Sequence, residues 1–375
     1  MKDDDLLPEA DAAEGLPHPR HAPQLIGHAA AVTEFCAALA SDRMHHAWLI
    51  TGPKGIGKAT FAWKAAEHLL NSPNDAGAAL FDMPPDPQGF VTDPEGAVAR
   101  RLRALSEPRV LLVRRGWNEK TKKLSAEITV DEVRRLNQFF GLSAVDGGRR
   151  VVIVDAVDEM NRNAANALLK LLEEPPEDAI LLLVAHQPAK LLPTIRSRCR
   201  TLRLNPLGAD EMAQAMHSID VAVDDPRAVV ELANGSVGVA AQMIEGGGLA
   251  LYGALVSLIG TLPRLDRAQA MALSEQVTGK AGEAQFDLML ALLDRLLARL
   301  ARVGVTGALP PDIVTGEGAI LARLSPSPHE GRGWADLADR LSAKARQGRA
   351  VNLDPAALIL DMIISIEKAA PRVMA

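Results

Sequence analysis

The sequence predicts an α/β domain with a five-stranded parallel sheet around a phosphate-binding loop, followed by a small helical lid and an all-α C-terminal domain. Three observations point to this fold. First, five short apolar runs, at residues 47–50, 110–113, 151–154, 180–184 and 201–204, alternate with helical stretches. Strands that are apolar throughout are buried on both faces, and helices between them make parallel neighbours. Second, the first run leads directly into a glycine-rich turn and then a helical pattern, the order a phosphate-binding unit requires. Third, only helical spacing remains after Pro206.

The elements follow in order. Residues 1–22 are acidic and rich in Pro and Ala, and read as a flexible leader. The α/β domain spans 23–205. It opens with helical apolar spacing over 25–39, then the strand 47–50, the glycine turn and a helix over 61–70. Residues 71–108, with Pro84-Pro85, Asp86-Pro87 and several glycines, read as a long irregular insertion. After the strand 110–113 and a charged stretch, a helix opens near Ile128, with Thr129 or Asp131 as its N-cap. Gly147-Gly148 turns the chain into the strand 151–154. A helix over 161–174 stops at Pro175-Pro176, which cannot continue it. The strand 180–184, a helix over 188–196 and the strand 201–204 complete the domain. A lid follows over 206–246 and ends in the linker-like Gly246-Gly247-Gly248. Residues 247–375 are Ala- and Leu-rich helix, clearest at 286–300, 334–345 and 355–368.

Composition excludes several classes. The chain has 375 residues, enough for two or three domains. Net charge is −6, so no global basic field draws it to nucleic acid. Aromatics are only 3%, leaving Ala and Leu to fill the core. The two cysteines, Cys36 and Cys199, are too few for a disulfide framework or a cysteine zinc site, and read as buried thiols of a cytoplasmic protein. The acidic start is unlike a signal peptide, and no run of about 18 apolar residues offers a membrane span. His45, His46 and His68 read as packing or capping residues, because no third ligand stands at metal-site spacing. Trp48 and Trp63 read as core. The basic cluster Arg114, Arg115, Lys120, Lys122 and Lys123 could contact phosphates or form a solvated loop.

Residues 52–60, Gly-Pro-Lys-Gly-Ile-Gly-Lys-Ala-Thr, carry the G-x-x-x-x-G-K core of a Walker A loop. Gly52, Gly55 and Gly57 let backbone N–H groups converge on phosphate oxygens, the following helix adds its positive end, and Lys58 would reach the terminal phosphates. The next position departs from the pattern. A hydroxyl residue there would ligate Mg²⁺, but Ala59 stands in it and Thr60 comes one later. A one-residue step turns a helical side chain by about 100°, so Thr60 does not substitute. ATP or ADP is the ligand this loop implies, with magnesium poorly held. Asp155 closes the strand 151–154 where an aspartate of the magnesium shell would sit, and Ala156 follows it. Asp158 and Glu159 read as acids at a helix N-terminus.

Two further stretches carry a resemblance. Residues 163–176, Asn-Ala-Ala-Asn-Ala-Leu-Leu-Lys-Leu-Leu-Glu-Glu-Pro-Pro, and residues 194–199, Thr-Ile-Arg-Ser-Arg-Cys, resemble the AAA+ clamp-loader family of DNA replication. Residues 25–28 (Leu-Ile-Gly-His) and 46–48 (His-Ala-Trp) extend the likeness, which covers 18–205 well and the helical remainder more weakly, through residues 352–355 (Asn-Leu-Asp-Pro). The resemblance implies that the arginine of Ser197-Arg198-Cys199 points into the ATP site of a neighbouring subunit, an arginine finger acting in trans. A guanidinium suits that task, because it offers a fixed planar charge to the γ-phosphate. The family's ATPases place a glutamate after the strand-end aspartate, where this chain has Ala156. Its lid motif carries a nucleotide-sensing arginine where Gly238 stands, and its first sensor segment carries a Thr where residues 184–186 read Val-Ala-His. Its motor subunits, tau or gamma, also carry a cysteine zinc module, which this chain lacks. These departures, with Arg198 kept, imply a stator of the DNA polymerase III clamp loader. It would sit in a five-subunit ring with three motor subunits and a delta subunit, acting on the sliding clamp and primed DNA, with residues 247–375 as the collar. Two other classes compete. An autonomous AAA+ ATPase would turn over ATP alone. A P-loop kinase of small nucleotides would lack the helical C-terminal third and the Ser197-Arg198-Cys199 triplet.

Overall fold

The computed structural model describes residues 8–13, 15–41, 44–72, 89–141, 148–277 and 282–373. Two compact units form. The first holds residues 1–207 with 214–220 and 236–238, and the second holds 208–213, 221–235 and 239–375. The segment 206–246, expected as a separate lid, is thus shared between them.

The first unit is built on a five-stranded parallel sheet. Its strands are β1 (Ala47–Thr51), β2 (Val110–Arg114), β5 (Arg150–Asp155), β6 (Ala179–Ala185) and β7 (Arg200–Arg203), in the order β2-β5-β6-β1-β7. A short hairpin, β3 (Trp117–Asn118) with β4 (Lys123–Leu124), stands in the charged stretch, where no strand was expected. The apolar runs are explained by two cores, one on each face of the sheet. Along β1, Trp48 and Ile50 enter one core with α1 (Ala29–Ala40) and α2 (Lys58–Asn71); Ala47 and Leu49 enter the other. That second core also takes the buried faces of α4 (Val130–Gly141), α5 (Arg162–Glu173) and α6 (Pro193–Arg196). Alternate side chains thus need to be apolar on both faces, which erases the period of two.

Some boundaries moved. The helix expected over 188–196 is a 3-10 turn at Pro188–Lys190 followed by the single turn α6, because Pro193 has no N–H to continue a helix. Of the expected insertion 71–108, residues 73–88 lie outside the described residues, and the remainder includes one short helix, α3 (Ala97–Arg103). Gly147, half of an expected turn, also lies outside them, as do residues 1–7 and 14 of the leader. The rest of the leader is not loose. Arg20 grips both carboxylate oxygens of Glu9 at 2.8 and 2.7 Å and bonds the Arg103 carbonyl at 3.0 Å. Asp11 stands 3.0 Å from His18 and pairs with Arg114. Glu9 and Asp11, two of the acids that suggested solvation, are neutralised by cations that folding brings to them.

The second unit is helical: α8 (Pro226–Ala233), α9 (Val237–Glu245), α10 (Gly248–Gly260), α11 (Arg267–Glu275), α12 (Gly282–Thr306), α13 (Glu317–Leu324), α14 (Pro328–Ala350) and α15 (Pro355–Val373). These follow α7 (Ala209–His217). The expected glycine linker is a tight turn: Gly247 takes φ 71° and Gly248 begins α10. A Cβ on Gly248 would stand 2.7 Å from the Met243 carbonyl, so glycine is required by close approach and supplies no slack. Gly304 and Gly331 let α12 and α14 touch; a Cβ on Gly304 would lie 2.7 Å from Gly331 Cα.

Candidate functional site

The phosphate loop sits between β1 and α2. Gly52, Gly55 and Gly57 have φ of 146°, 78° and 102°, the left-handed region that L side chains avoid. A Cβ at Gly52 would stand 2.7 Å from the Leu204 carbonyl, and one at Gly55 would stand 2.5 Å from Ser236 Oγ. The loop is held from several sides. His28 Nε2 lies 2.7 Å from the Ile56 carbonyl, Ser236 Oγ donates to the Lys54 carbonyl at 2.8 Å, and the Gly238 amide donates to the Gly55 carbonyl at 2.9 Å. The position expected for a sensing arginine is therefore packed on the loop itself: a Cβ on Gly238 would stand 3.1 Å from Gly55 Cα.

Lys58, the first residue of α2, is 3% exposed. Its Nζ donates to the Gly52 and Pro53 carbonyls at 2.8 and 2.5 Å, turning the ammonium onto its own loop. Burial pulls its pKa down to about 8. Ala59 and Thr60 follow on α2, both half-buried. Asp155 ends β5, opposite Arg114 of β2 and Val184 of β6. Burial, reinforced by the charge of Asp11, pushes its pKa up to about 7.

The two acids beyond Asp155 are engaged. Asp158 accepts from the amides of His186 and Gln187, both at 2.9 Å, tying the turn Val157–Glu159 to the end of β6. Glu159 pairs with Arg115 at 2.7 Å. His186 is driven down to about 4 by burial and then by the charge of Lys58, so its imidazole is neutral at physiological pH, and its Nδ1 is buried without a partner among the described residues. The basic cluster is largely spent too. Arg114 pairs with Glu9 and Asp11, Arg115 with Glu159, and Lys122 with Glu119.

Arg198 follows α6. Its side chain is 36% exposed, donates from Nη1 to the Thr194 carbonyl at 3.1 Å, and pairs through Nη2 with Glu173 Oε1 at 2.8 Å. The structure gathers Gly52, Gly55, Gly57, Lys58 and Asp155 around one loop, while the polar contacts of Arg198 lie with Thr194 and Glu173. Burial pushes the neighbouring Cys199 thiol up to about 12, which makes it a poor nucleophile. His45 and His46 stack at 4.4 Å, with His46 Nε2 3.1 Å from the Leu172 carbonyl, as packing residues do.

Sequence reasoning missed His28, Asp11 and Glu173. His28 lay inside a quoted motif, yet only the fold shows that it supports the loop.

Strand order, the loop after β1 and the helix it feeds define a P-loop protein of AAA+ type. A family model described as DNA polymerase III, delta subunit, matches residues 27–208. A DNA polymerase III subunit delta′ from Pseudomonas aeruginosa is 41% identical over 163 residues, which is 41% of this chain and 41% of that protein. One from Bacillus subtilis is 27% identical, covering 52% of this chain and 53% of the relative. A subunit tau from Salmonella typhimurium is 27% identical over 80% of this chain and 46% of its own length. The alignments thus span about half the length of these relatives. A gamma-subunit-related protein of known structure from Thermotoga maritima is 16% identical, with a TM-score of 0.39, covering 90% of this chain and 99% of that one. The chain is thus similar to DNA polymerase III subunits of the delta, delta′ and tau kinds, and the family model covers residues 27–208.

Proposed function

We propose that this chain is a stator of the DNA polymerase III clamp loader: it turns over little or no ATP itself and offers Arg198 to the ATP site of a neighbouring motor subunit. The observation that carries this reading is a contrast between two places in the first unit. At the loop, Ala59 and Ala156 stand where a metal ligand and a water-activating acid would be. Asp158 and Glu159 are occupied by the amides of His186 and Gln187 just past β6 and by Arg115, and Lys58 bonds its own loop. At α6, a guanidinium is presented at the surface. Hydrolysis needs an ordered metal and a positioned water, and in-trans catalysis needs only a charge that can reach the γ-phosphate.

In this reading the chain joins tau or gamma motor subunits and a delta subunit in a five-subunit cytoplasmic ring that loads the sliding clamp onto primed DNA. Helices from 247 onward supply the collar. The loop's ligand is ATP or ADP, held without a well-ordered magnesium. No single helix among the described residues is long and apolar enough to cross a membrane. Two measurements test the reading. The purified chain should show background ATP turnover, and brisk turnover would instead identify an autonomous ATPase. In a reconstituted ring, Arg198→Ala should abolish hydrolysis at one motor site and leave assembly intact; unchanged DNA-stimulated hydrolysis rejects the assignment.

A further inference from the structure

We propose that Glu173 is the positioning residue for Arg198, holding the guanidinium in the attitude in which it meets the neighbouring phosphate. The inference rests on the reading of Arg198 as a finger in trans and adds the device that aims it. An exposed arginine is a poor finger by default, since ordering its long side chain costs rotamer entropy. Here the guanidinium is gripped on two sides, by Glu173 Oε1 on Nη2 at 2.8 Å and by the Thr194 carbonyl on Nη1 at 3.1 Å. Among the described residues these contacts use two of its five N–H groups, which leaves three to offer an incoming anion.

Both supports are anchored. Glu173 directly follows Leu172, and Arg198 lies three residues beyond Ile195; Leu172 and Ile195 are buried in the same core cluster. Asn161 caps the start of α5 by accepting from the Ala164 amide at 2.9 Å, and Pro175-Pro176 lie just past its end. The helix therefore stops with Glu173 in place. That location argues against a role for Glu173 in helix stability. It is the last residue of α5, where a carboxylate opposes the negative end of the helix dipole. A carboxylate in that unfavourable place, 2.8 Å from the one arginine proposed to act on another subunit, fits a positioning role.

The test uses a reconstituted ring in which only the motor site facing this chain can hydrolyse ATP. Glu173→Ala keeps a good helix former at the position. It should lower kcat about two- to fivefold, the range expected of a solvent-exposed ion pair, with KM for ATP and ring assembly unchanged. Glu173→Gln, whose amide oxygen still accepts from the guanidinium, should recover most of the loss. The double variant Glu173→Ala/Arg198→Ala should be no slower than Arg198→Ala alone, because Glu173 acts through Arg198. Wild-type or raised kcat in Glu173→Ala overturns the proposal while leaving the finger standing, as does a loss that appears in KM or assembly. If Arg198→Ala is itself silent, the finger reading fails and this inference falls with it.

Discussion

Asp155 shows how a single residue reports the state of the site. Its carboxyl is buried and its pKa is raised from 3.8 to about 7. Between about pH 4 and 7 the folded chain therefore keeps a proton that the unfolded chain has released, and its contribution to stability is lost as pH rises through that window. His186 works in the opposite sense: its pKa falls from 6.5 to about 4, so its contribution is gained as pH rises over an overlapping range. Asp155→Asn isolates the first effect. Denaturation at a series of pH values should show the variant gaining on the wild type by up to about 1.4 kcal/mol per pH unit towards pH 7. A gap independent of pH would mean that Asp155 is ionised in the fold. Asp11→Ala should shift the same titration downward, since the Asp11 charge helps to hold the proton on Asp155. The motif made Asp155 visible, but its protonation depends on Asp11, 144 positions earlier, which no spacing connects to it.

Among the helices, the second unit contains a buried ion pair that no local pattern announces. Arg299 of α12 bonds both oxygens of Glu317 at 2.7 and 3.1 Å, Glu231 at 3.0 Å and the Pro311 carbonyl at 2.6 Å. Glu317 is wholly buried at the start of α13; it also accepts from Tyr252 of α10 at 2.6 Å and from the Ile313 amide at 2.7 Å. Four helices, α8, α10, α12 and α13, meet on this pair. Because its bonds are satisfied together, removing one partner strands the other charge in the core. Arg299→Ala should cost about 3–5 kcal/mol in chemical denaturation. A cost under about 1 kcal/mol would show the pair to be reachable by water. The helical character of this region was legible from its Ala- and Leu-rich spacing. Arg299 was not, because a lone Arg on an amphipathic helix reads the same whether it meets water or a buried glutamate. The glycines of 246–248 misled for a related reason: composition cannot tell a glycine needed for close packing from one that loosens the chain.

For the whole molecule, the proposed loss of hydrolysis rests on several positions at once, so it should not be reversible at one of them. Ala59→Thr restores a hydroxyl at its usual place, yet Ala156 still offers no base, Asp158 and Glu159 remain engaged, and Gly238 still packs on Gly55. The purified variant should show background ATP turnover. A gain to motor-like rates would reduce the deficiency to one residue and weaken the stator reading.

The sequence by itself determined the parallel sheet, the loop, the helical C-terminal region and the resemblance to clamp-loader subunits, because each is written in contiguous residues: apolar runs, glycine spacing and two short motifs. Tertiary structure alone decided which charges meet. It turned Lys58 onto Gly52 and Pro53, paired Glu9 with Arg20 and Asp11 with Arg114, and set Glu173 against Arg198. Periodicity records which face of an element is buried; the partner of a charge depends on distances that only the folded chain defines.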